Sequence, residues 1–256
     1  MIMSLRAPLA TTIAGLAAAT GVGVVSAEEL PFDEARIFIE LNDTDGDLGT
    51  HFSIDGDAWR YLRIEDPHEV PILNVRPYTT LRRQGLTQLF IESAEPTFDE
   101  LSPARFFARF PEGTYEIEGM TLEGDELESE VEFSHLLPGP PMNVRVNGMP
   151  AAASCDDELA IPTVLPPVFI TWDPVLVSHP TLGTQGAATV DRYQVFAEQL
   201  TDDPLKFSLD LPPSAMPQYQ VAPELIALGD EQYKFEILVR EANGNQTAIE
   251  SCFNVQ

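Results

Sequence analysis

The stretch Tyr233-Lys-Phe-Glu-Ile-Leu-Val239 decides the fold class. A β-strand points successive side chains to opposite faces, so one face of this stretch is apolar through its alternate residues Tyr233, Phe235, Ile237 and Val239. Short runs of this kind recur along the chain, and 22 prolines and 16 glycines favour turns between them. The sequence therefore predicts an all-β protein.

A β-sandwich with one short helix is predicted for the N-terminal half, residues 28–137. The helix is placed at Ser102–Phe110, where Ser102 can cap it and Pro103 suits its first turn. Asp55-Gly56-Asp57 lies between two strand-like runs, and such a DG pair predicts a hairpin turn. The predicted strands are Ala35–Leu41, Thr50–Ile54, Ala58–Ile64, Leu86–Ile91, Thr114–Leu122 and Leu127–Phe133.

The C-terminal half, residues 142–256, carries three segments in a characteristic order. The first is Val168–Val175, which contains Trp172, and the second is Tyr193–Ala197. These segments resemble strands B and C of a fibronectin type III module. The resemblance implies that Trp172 is the core tryptophan and that Tyr193 packs against it.

The third segment, Leu228–Val239, resembles the tyrosine corner and strand F of the same module, with Tyr233 as the corner tyrosine. Strand G is then matched by Thr247–Val255. The resemblance implies a second β-sandwich domain of the immunoglobulin-like class. A proline-rich linker, residues 138–141, is predicted to join the two domains.

The first 27 residues are predicted to form a signal peptide. Arg6 is the only charge before Glu28, an apolar stretch follows it, and Val25-Ser26-Ala27 has the small residues that signal peptidase needs. The alternative is an uncleaved membrane anchor, although the stretch is weakly hydrophobic for a span. We therefore expect a secreted or periplasmic protein with no transmembrane segment after signal removal.

Charge narrows the choice of partners. The chain has 14 Lys and Arg against 41 Asp and Glu, which gives a formal net charge of −27. Such a surface repels nucleic acid and anionic headgroups, so nucleic acid is excluded as a partner. An extracellular protein or a glycan remains as the expected partner.

The chain has two cysteines, Cys155 and Cys252. Export places them where disulfides persist, and an even count allows one bridge. The alternative is a pair of free thiols. A structural zinc site is a poor competitor because the CxxC spacing is missing.

A calcium site is the main candidate for bound chemistry. Asp43, Asp45 and Asp47 alternate through a loop that contains Gly46, and their carboxylates are the hard oxygen ligands that Ca²⁺ prefers. The EF-hand template is not met, so the alternative is a plain acidic turn. His51 follows this loop, either as a further ligand or as a strand-edge histidine.

No catalytic motif is present: the four histidines stand far apart, and no HExxH or GxSxG sequence occurs. The fibronectin type III resemblance then implies a non-catalytic module for binding, adhesion or spacing, and we expect it in the cell envelope or outside the cell. The alternative is a glycan-active accessory protein or hydrolase that uses carboxylates of the first domain. Trp59 and Tyr61 would stack on sugar rings in that case, and would otherwise pack in the core.

Overall fold

A computed structural model describes residues 29–227, 229 and 232–256. The predicted signal peptide lies outside these described residues, as do three positions of the predicted tyrosine corner, 228, 230 and 231. The described part is built from strands with three short helices, which confirms the all-β class. None of its helices has the length and hydropathy that a membrane span requires.

The N-terminal half contains the following elements in chain order: β1 (Glu29–Leu30), β2 (Glu34–Asn42), β3 (Asp47–Glu65), β4 (Pro71–Val75), α1 (Thr79–Gln84), β5 (Leu86–Glu92), α2 (Pro103–Arg109), β6 (Gly113–Thr121) and β7 (Glu126–Phe133). The C-terminal half contains β8 (Arg145–Val146), β9 (Met149–Pro150), β10 (Thr163–Val164), β11 (Phe169–Thr171), β12 (Val190–Gln199), β13 (Lys206–Leu211), β14 (Gln218–Gln220), α3 (Pro223–Ile226), β15 (Gln232–Glu241) and β16 (Gln246–Val255).

The hairpin predicted at Asp55-Gly56-Asp57 is wrong, because β3 runs through this segment as one strand of 19 residues. Pairing with β5 shifts register between Asp55 and Trp59, so the segment is an irregularity within a strand. A glycine inside a strand often marks such a bulge or a close approach, and a Cβ on Gly56 would lie 3.2 Å from the Phe32 ring.

The long strand organises the N-terminal half. Its first part pairs with β2 and β5, and its second part pairs with β4 and β6, so the strands that contribute to the N-terminal apolar core belong to one sheet. The predicted strands Thr114–Leu122 and Leu127–Phe133 correspond to β6 and β7, which pair as an antiparallel hairpin, and the predicted helix is α2, which buries Phe106. Ser102 stands at its N-cap without a side-chain hydrogen bond, and α1 and α3 are helices that the sequence did not predict.

The C-terminal half is a sandwich of two sheets around its own apolar cluster. One layer contains β13, β12, β15 and β16, and the other contains β14, β11, β8 and β9. Trp172 packs edge-to-face on Tyr193 with ring centroids 5.3 Å apart. The Tyr233 hydroxyl donates to the carbonyl of Ile226 at 3.3 Å. Both contacts are those implied by the fibronectin type III resemblance, which itself stays a prediction.

The two halves share one sheet, because β2 pairs in parallel with β16. The register matches Glu40 with Gln246 and Asn42 with Ala248. The segment predicted as a linker is held against this junction, since Pro138 and Gly139 are buried and the Pro138 carbonyl accepts a hydrogen bond from Thr247 Oγ1 at 2.7 Å. The predicted disulfide between Cys155 and Cys252 is present at the other end of β16.

Candidate functional site

The β2–β16 junction creates a polar sheet surface that belongs to both halves. Apolar residues of β2 such as Ile37 and Ile39 point to the N-terminal core, so the residues between them point to the opposite face. Residues directly opposite each other on neighbouring strands point to the same face of the sheet. We call the polar face that β2, β3, β15 and β16 form in this way the shared face. Its central members are Phe38, Glu40, His51, Glu236, Arg240, Gln246 and Glu250.

Asn245 fixes the junction from beneath. Its Oδ1 accepts a hydrogen bond from the Ile39 amide at 2.8 Å, and its Nδ2 donates to the carbonyls of Ser134 and Leu136 at 2.7 and 2.9 Å. The residue is 1% exposed, so these bonds replace water entirely. The turn between β15 and β16 is thereby hydrogen-bonded to three backbone groups of the N-terminal half.

The predicted calcium ligands lie in the turn between β2 and β3. Asp43 Oδ1 lies 2.9 Å from Nε2 of the buried His179. Because His179 Nδ1 accepts from two backbone amides, Nε2 carries the proton and donates to Asp43. Asp45 accepts a hydrogen bond from Asn42 Nδ2, and burial together with the charge of Asp45 raises the pKa of Asp47. The turn therefore also joins the two halves.

A different group of ligand atoms does converge. Among the described residues, one set of three His, Cys, Asp or Glu side chains has its ligand atoms within 4.8 Å of one another: Glu40, His51 and Glu95. His51 Nε2 lies 3.3 Å from Glu40 Oε2 and 3.6 Å from Glu95 Oε1. Asp43, Asp45 and Asp47 do not form such a set.

His51 occupies the centre of this group and is 5% exposed. Its ring stacks on Phe38 with centroids 5.0 Å apart and is met on another side by Phe90. Its Nε2 is fully buried and has no hydrogen-bond partner. The ring is therefore clamped by aromatic groups while its Nε2 is aimed between two carboxylates.

Two further side chains orient Glu40. Gln246 Nε2 donates a hydrogen bond to Glu40 Oε2, and Gln246 Oε1 accepts two from the Arg240 guanidinium at 2.8 and 3.1 Å. Arg240 in turn lies over the Phe38 ring. Residues of the C-terminal half thus hold a carboxylate of the N-terminal half in place.

Gly49 makes room for the third member, Glu95, which follows β5. A Cβ at position 49 would lie 2.6 Å from Glu95 Oε1, closer than real contacts allow. Any larger residue would push the carboxylate away from His51. The glycine is therefore required for the three ligand atoms to meet.

Burial disfavours the charged form of every member of the group. It raises the pKa of Glu40 and of Glu95, and for Glu95 the negative charges of Glu40 and Asp47 add to the increase. It lowers the pKa of His51 despite the attraction of Glu92 and Glu95. A cation bound among the three would reverse the effect on both carboxylates.

The sugar-stacking interpretation of Trp59 is wrong, because Trp59 is completely buried in the N-terminal core. Tyr61 is half-buried beneath the Arg76 guanidinium. An aromatic platform of these two residues beside the carboxylates is therefore not present.

Sequence reasoning identified only one member of the convergent group. The sequence predicts His51 as either a ligand or a strand-edge histidine, and it lies within β3, which is paired with β2 and β5 at this position. Glu40 and Glu95 were missed because 55 residues separate them among 41 acids. Their sole local signal was the position of Glu40 on the polar side of a predicted strand.

Comparison with known proteins identifies no family for this chain. No protein-family model matches the chain, and no curated protein is similar to it. Solved structures with similarity include a 1.5-MDa bacterial ice-binding adhesin (11% identity, 90% of this chain and 66% of that chain, TM-score 0.25). A second is a tetra-tandem repeat from the extending region of a large adhesion protein (10% identity, 87% of this chain and 50% of that chain, TM-score 0.26). A third is Tp47, the 47-kilodalton lipoprotein of Treponema pallidum (10% identity, 91% of this chain and 52% of that chain, TM-score 0.29).

The chain spans about half to two thirds of the length of these three structures. At these TM-scores the similarities carry no inference about what the chain binds or does.

Proposed function

We propose that this chain is an exported, non-catalytic module that spaces or presents a binding surface in the cell envelope or outside the cell. The observation that carries the proposal is the parallel pairing of β2 with β16. It joins both halves into one sheet, whereas a chain of independent domains would bend at its linker.

The pairing also sets where the chain enters and leaves the module. The pairing is limited to the last three residues of β2 and the first three of β16. The unpaired part of β2 therefore extends to one side of this segment, and the unpaired part of β16 extends to the other. From Glu34 to Val255 this path covers about 15 strand positions, or about 50 Å at about 3.3 Å per residue. Such a layout suits a spacer, because its two ends lie at opposite ends of the shared sheet.

Export is supported by the disulfide and by the predicted signal peptide. Disulfides persist in oxidising compartments, and this one links a buried cysteine of β16 to the segment before β10. The expected partner is a protein or a glycan outside the cytoplasm, since the net charge of −27 repels anionic partners.

Force applied at the chain ends tests the spacer role. Tension on β2 and β16 loads their hydrogen bonds in shear, so residues 28–256 pulled through end handles should resist and then unfold in one event. With the disulfide intact, the 97-residue segment between the two cysteines cannot be extended by the applied force. Reduction should therefore lengthen the unfolded chain by about 340 Å, at about 3.5 Å per residue. Two successive weak events, one for each half, would overturn the proposal.

A hydrolase screen tests the competing glycan-active function. The purified protein is offered a panel of polysaccharides, alongside Glu95→Gln and the neighbouring Glu92→Gln as a matched control. We expect no turnover by any of the three. Turnover that disappears in Glu95→Gln and persists in Glu92→Gln would favour the hydrolase instead.

Calcium at Asp43, Asp45 and Asp47 belongs to the same proposal as a stabilising ion. Calcium at tenfold its Kd would add about 1.4 kcal/mol of stability, although it must compete with His179 for Asp43. The melting temperature should then rise by a few degrees more in Ca²⁺ than in equal Mg²⁺, and Asp45→Ala should remove the difference. If the melting temperature rises equally in Ca²⁺ and in Mg²⁺, the loop is a plain acidic turn and not a calcium site.

A further inference from the structure

We propose that Glu40, His51 and Glu95 bind one divalent transition-metal ion, of which Zn²⁺ is the representative. This site is separate from the predicted calcium turn and does not depend on the spacer function. Its three ligand atoms come from β2, β3 and the segment after β5, so the folded sheet alone brings them together.

The distances from His51 Nε2 to the two carboxylates fit such an ion. Zinc bonds to histidine nitrogen and carboxylate oxygen are about 2.0–2.2 Å long, which places two ligands of a tetrahedral site about 3.3–3.6 Å apart. His51 Nε2 lies 3.3 Å from Glu40 Oε2 and 3.6 Å from Glu95 Oε1. The ion therefore fits with only small movements of the side chains.

The buried Nε2 of His51 is the independent indication of a ligand. The His51 ring is in contact with Phe38 and Phe90, and its buried Nε2 makes no hydrogen bond, which is energetically costly for a buried polar atom. Coordination of a metal by the neutral imidazole removes this cost. The nitrogen also selects the ion, because imidazole suits zinc and other transition metals whereas Ca²⁺ and Mg²⁺ prefer oxygen ligands alone.

The surroundings have the features of a supporting shell. Ligand carboxylates in metal sites are commonly hydrogen-bonded themselves, and Glu40 accepts from Gln246, which Arg240 holds. Gly49 leaves the space that the Glu95 carboxylate occupies. The Glu95 side chain is 31% exposed, so the ion is reached from the solvent side and its fourth position can take water.

The competing explanation is a protonated His51 held by two carboxylates without any metal. The two explanations differ at Nε2, which carries a proton in one case and a metal in the other. Nitrogen NMR of His51 in ¹⁵N-labelled protein therefore separates them. Addition of one equivalent of Zn²⁺ to chelator-treated protein should shift the Nε2 resonance at neutral pH.

Calorimetric titration with Zn²⁺ measures the affinity and the role of each ligand. The parent protein should bind one ion at this site. Changes in supporting residues alone often weaken metal affinity 10–100-fold, so loss of a direct ligand in Glu95→Gln or Glu40→Gln should weaken it by about 100-fold. Glu92→Gln removes an equal charge from the same neighbourhood without removing a ligand, and it should retain most of the affinity.

Gly49→Ala provides a variant that keeps every charge and every ligand. The added methyl displaces the flexible Glu95 side chain, so the fold should persist while Zn²⁺ affinity falls as in Glu95→Gln. Circular dichroism confirms that each variant is folded. The proposal is overturned if His51 Nε2 does not respond to Zn²⁺, or if Glu95→Gln and Glu92→Gln lose affinity equally. Ca²⁺ or Mg²⁺ binding as tightly as Zn²⁺ would overturn it as well.

Discussion

The two halves of the molecule build their cores in different ways. The C-terminal half packs two separate sheets face to face, so each strand needs only one apolar side. The N-terminal half builds its core on the strands of one sheet, in which β3 changes its neighbours along its length. The comparison teaches that the second design depends on an irregular strand, whereas the first depends on regular alternation.

The largest expected effect comes from the disulfide, which lies in the C-terminal half alone. Replacing Cys155 and Cys252 by alanine frees a loop of 97 residues and should lower the free energy of unfolding by about 4–5 kcal/mol. Urea titration followed by Trp59 and Trp172 fluorescence measures it. Because the halves share a sheet, the unfolding midpoints reported by Trp59 and by Trp172 should both move to the same lower urea concentration. A shift confined to one signal would mean that the halves unfold separately.

Asn245→Ala tests the junction between the halves. The change leaves the Ile39 amide and the Ser134 carbonyl without their buried partner, while the Leu136 carbonyl keeps its hydrogen bond from Asn243 Nδ2, so stability should fall by about 3 kcal/mol. Asn254→Ala, near the end of β16 and away from the junction, serves as the control and should cost much less. If the two variants have the same urea midpoint, Asn245 does not hold the halves together.

Glu236 should make the stability depend on pH. Burial and the charges of Glu40 and Glu250 raise its pKa from 4.5 to about 7, despite the attraction of Lys234. The folded state therefore holds this proton more tightly than the unfolded state, and stability is lost as pH rises from about 4.5 through about 7.

Glu236→Gln should accordingly increase stability by about 3 kcal/mol at pH 8 and change little at pH 4. Chemical denaturation at both pH values measures the difference. Glu126→Gln removes an exposed carboxylate from β7 and controls for net charge. An equal gain from both variants at pH 8 would assign the effect to the overall charge of −27.

Sequence reasoning succeeded where the signal is local. Alternation located β15, and parity of the cysteines together with the export signal predicted the disulfide. It failed at Asp55-Gly56-Asp57, because the same residues that favour a hairpin turn also fit an irregularity inside a strand. No local pattern encodes the parallel pairing of Glu40 with Gln246, since it joins residues 206 positions apart.

The site was only partly predictable for the same reason. The acidic turn is visible in the sequence because its three aspartates lie within five residues. The convergent group depends on the β2–β3 pairing and on the room that Gly49 leaves for Glu95, and both belong to the folded structure. The position of His51 directly after the turn makes it a candidate ligand in the sequence, but no local pattern indicates that its side chain is buried.

Differential scanning calorimetry tests the central claim, that the shared sheet makes the two halves one unit. Residues 28–256 should melt in a single transition with a calorimetric enthalpy of about 160 kcal/mol, at about 0.7 kcal/mol per residue. The van't Hoff enthalpy should equal the calorimetric one. Two transitions of about half that enthalpy each, or a van't Hoff value of about half the calorimetric value, would contradict the claim.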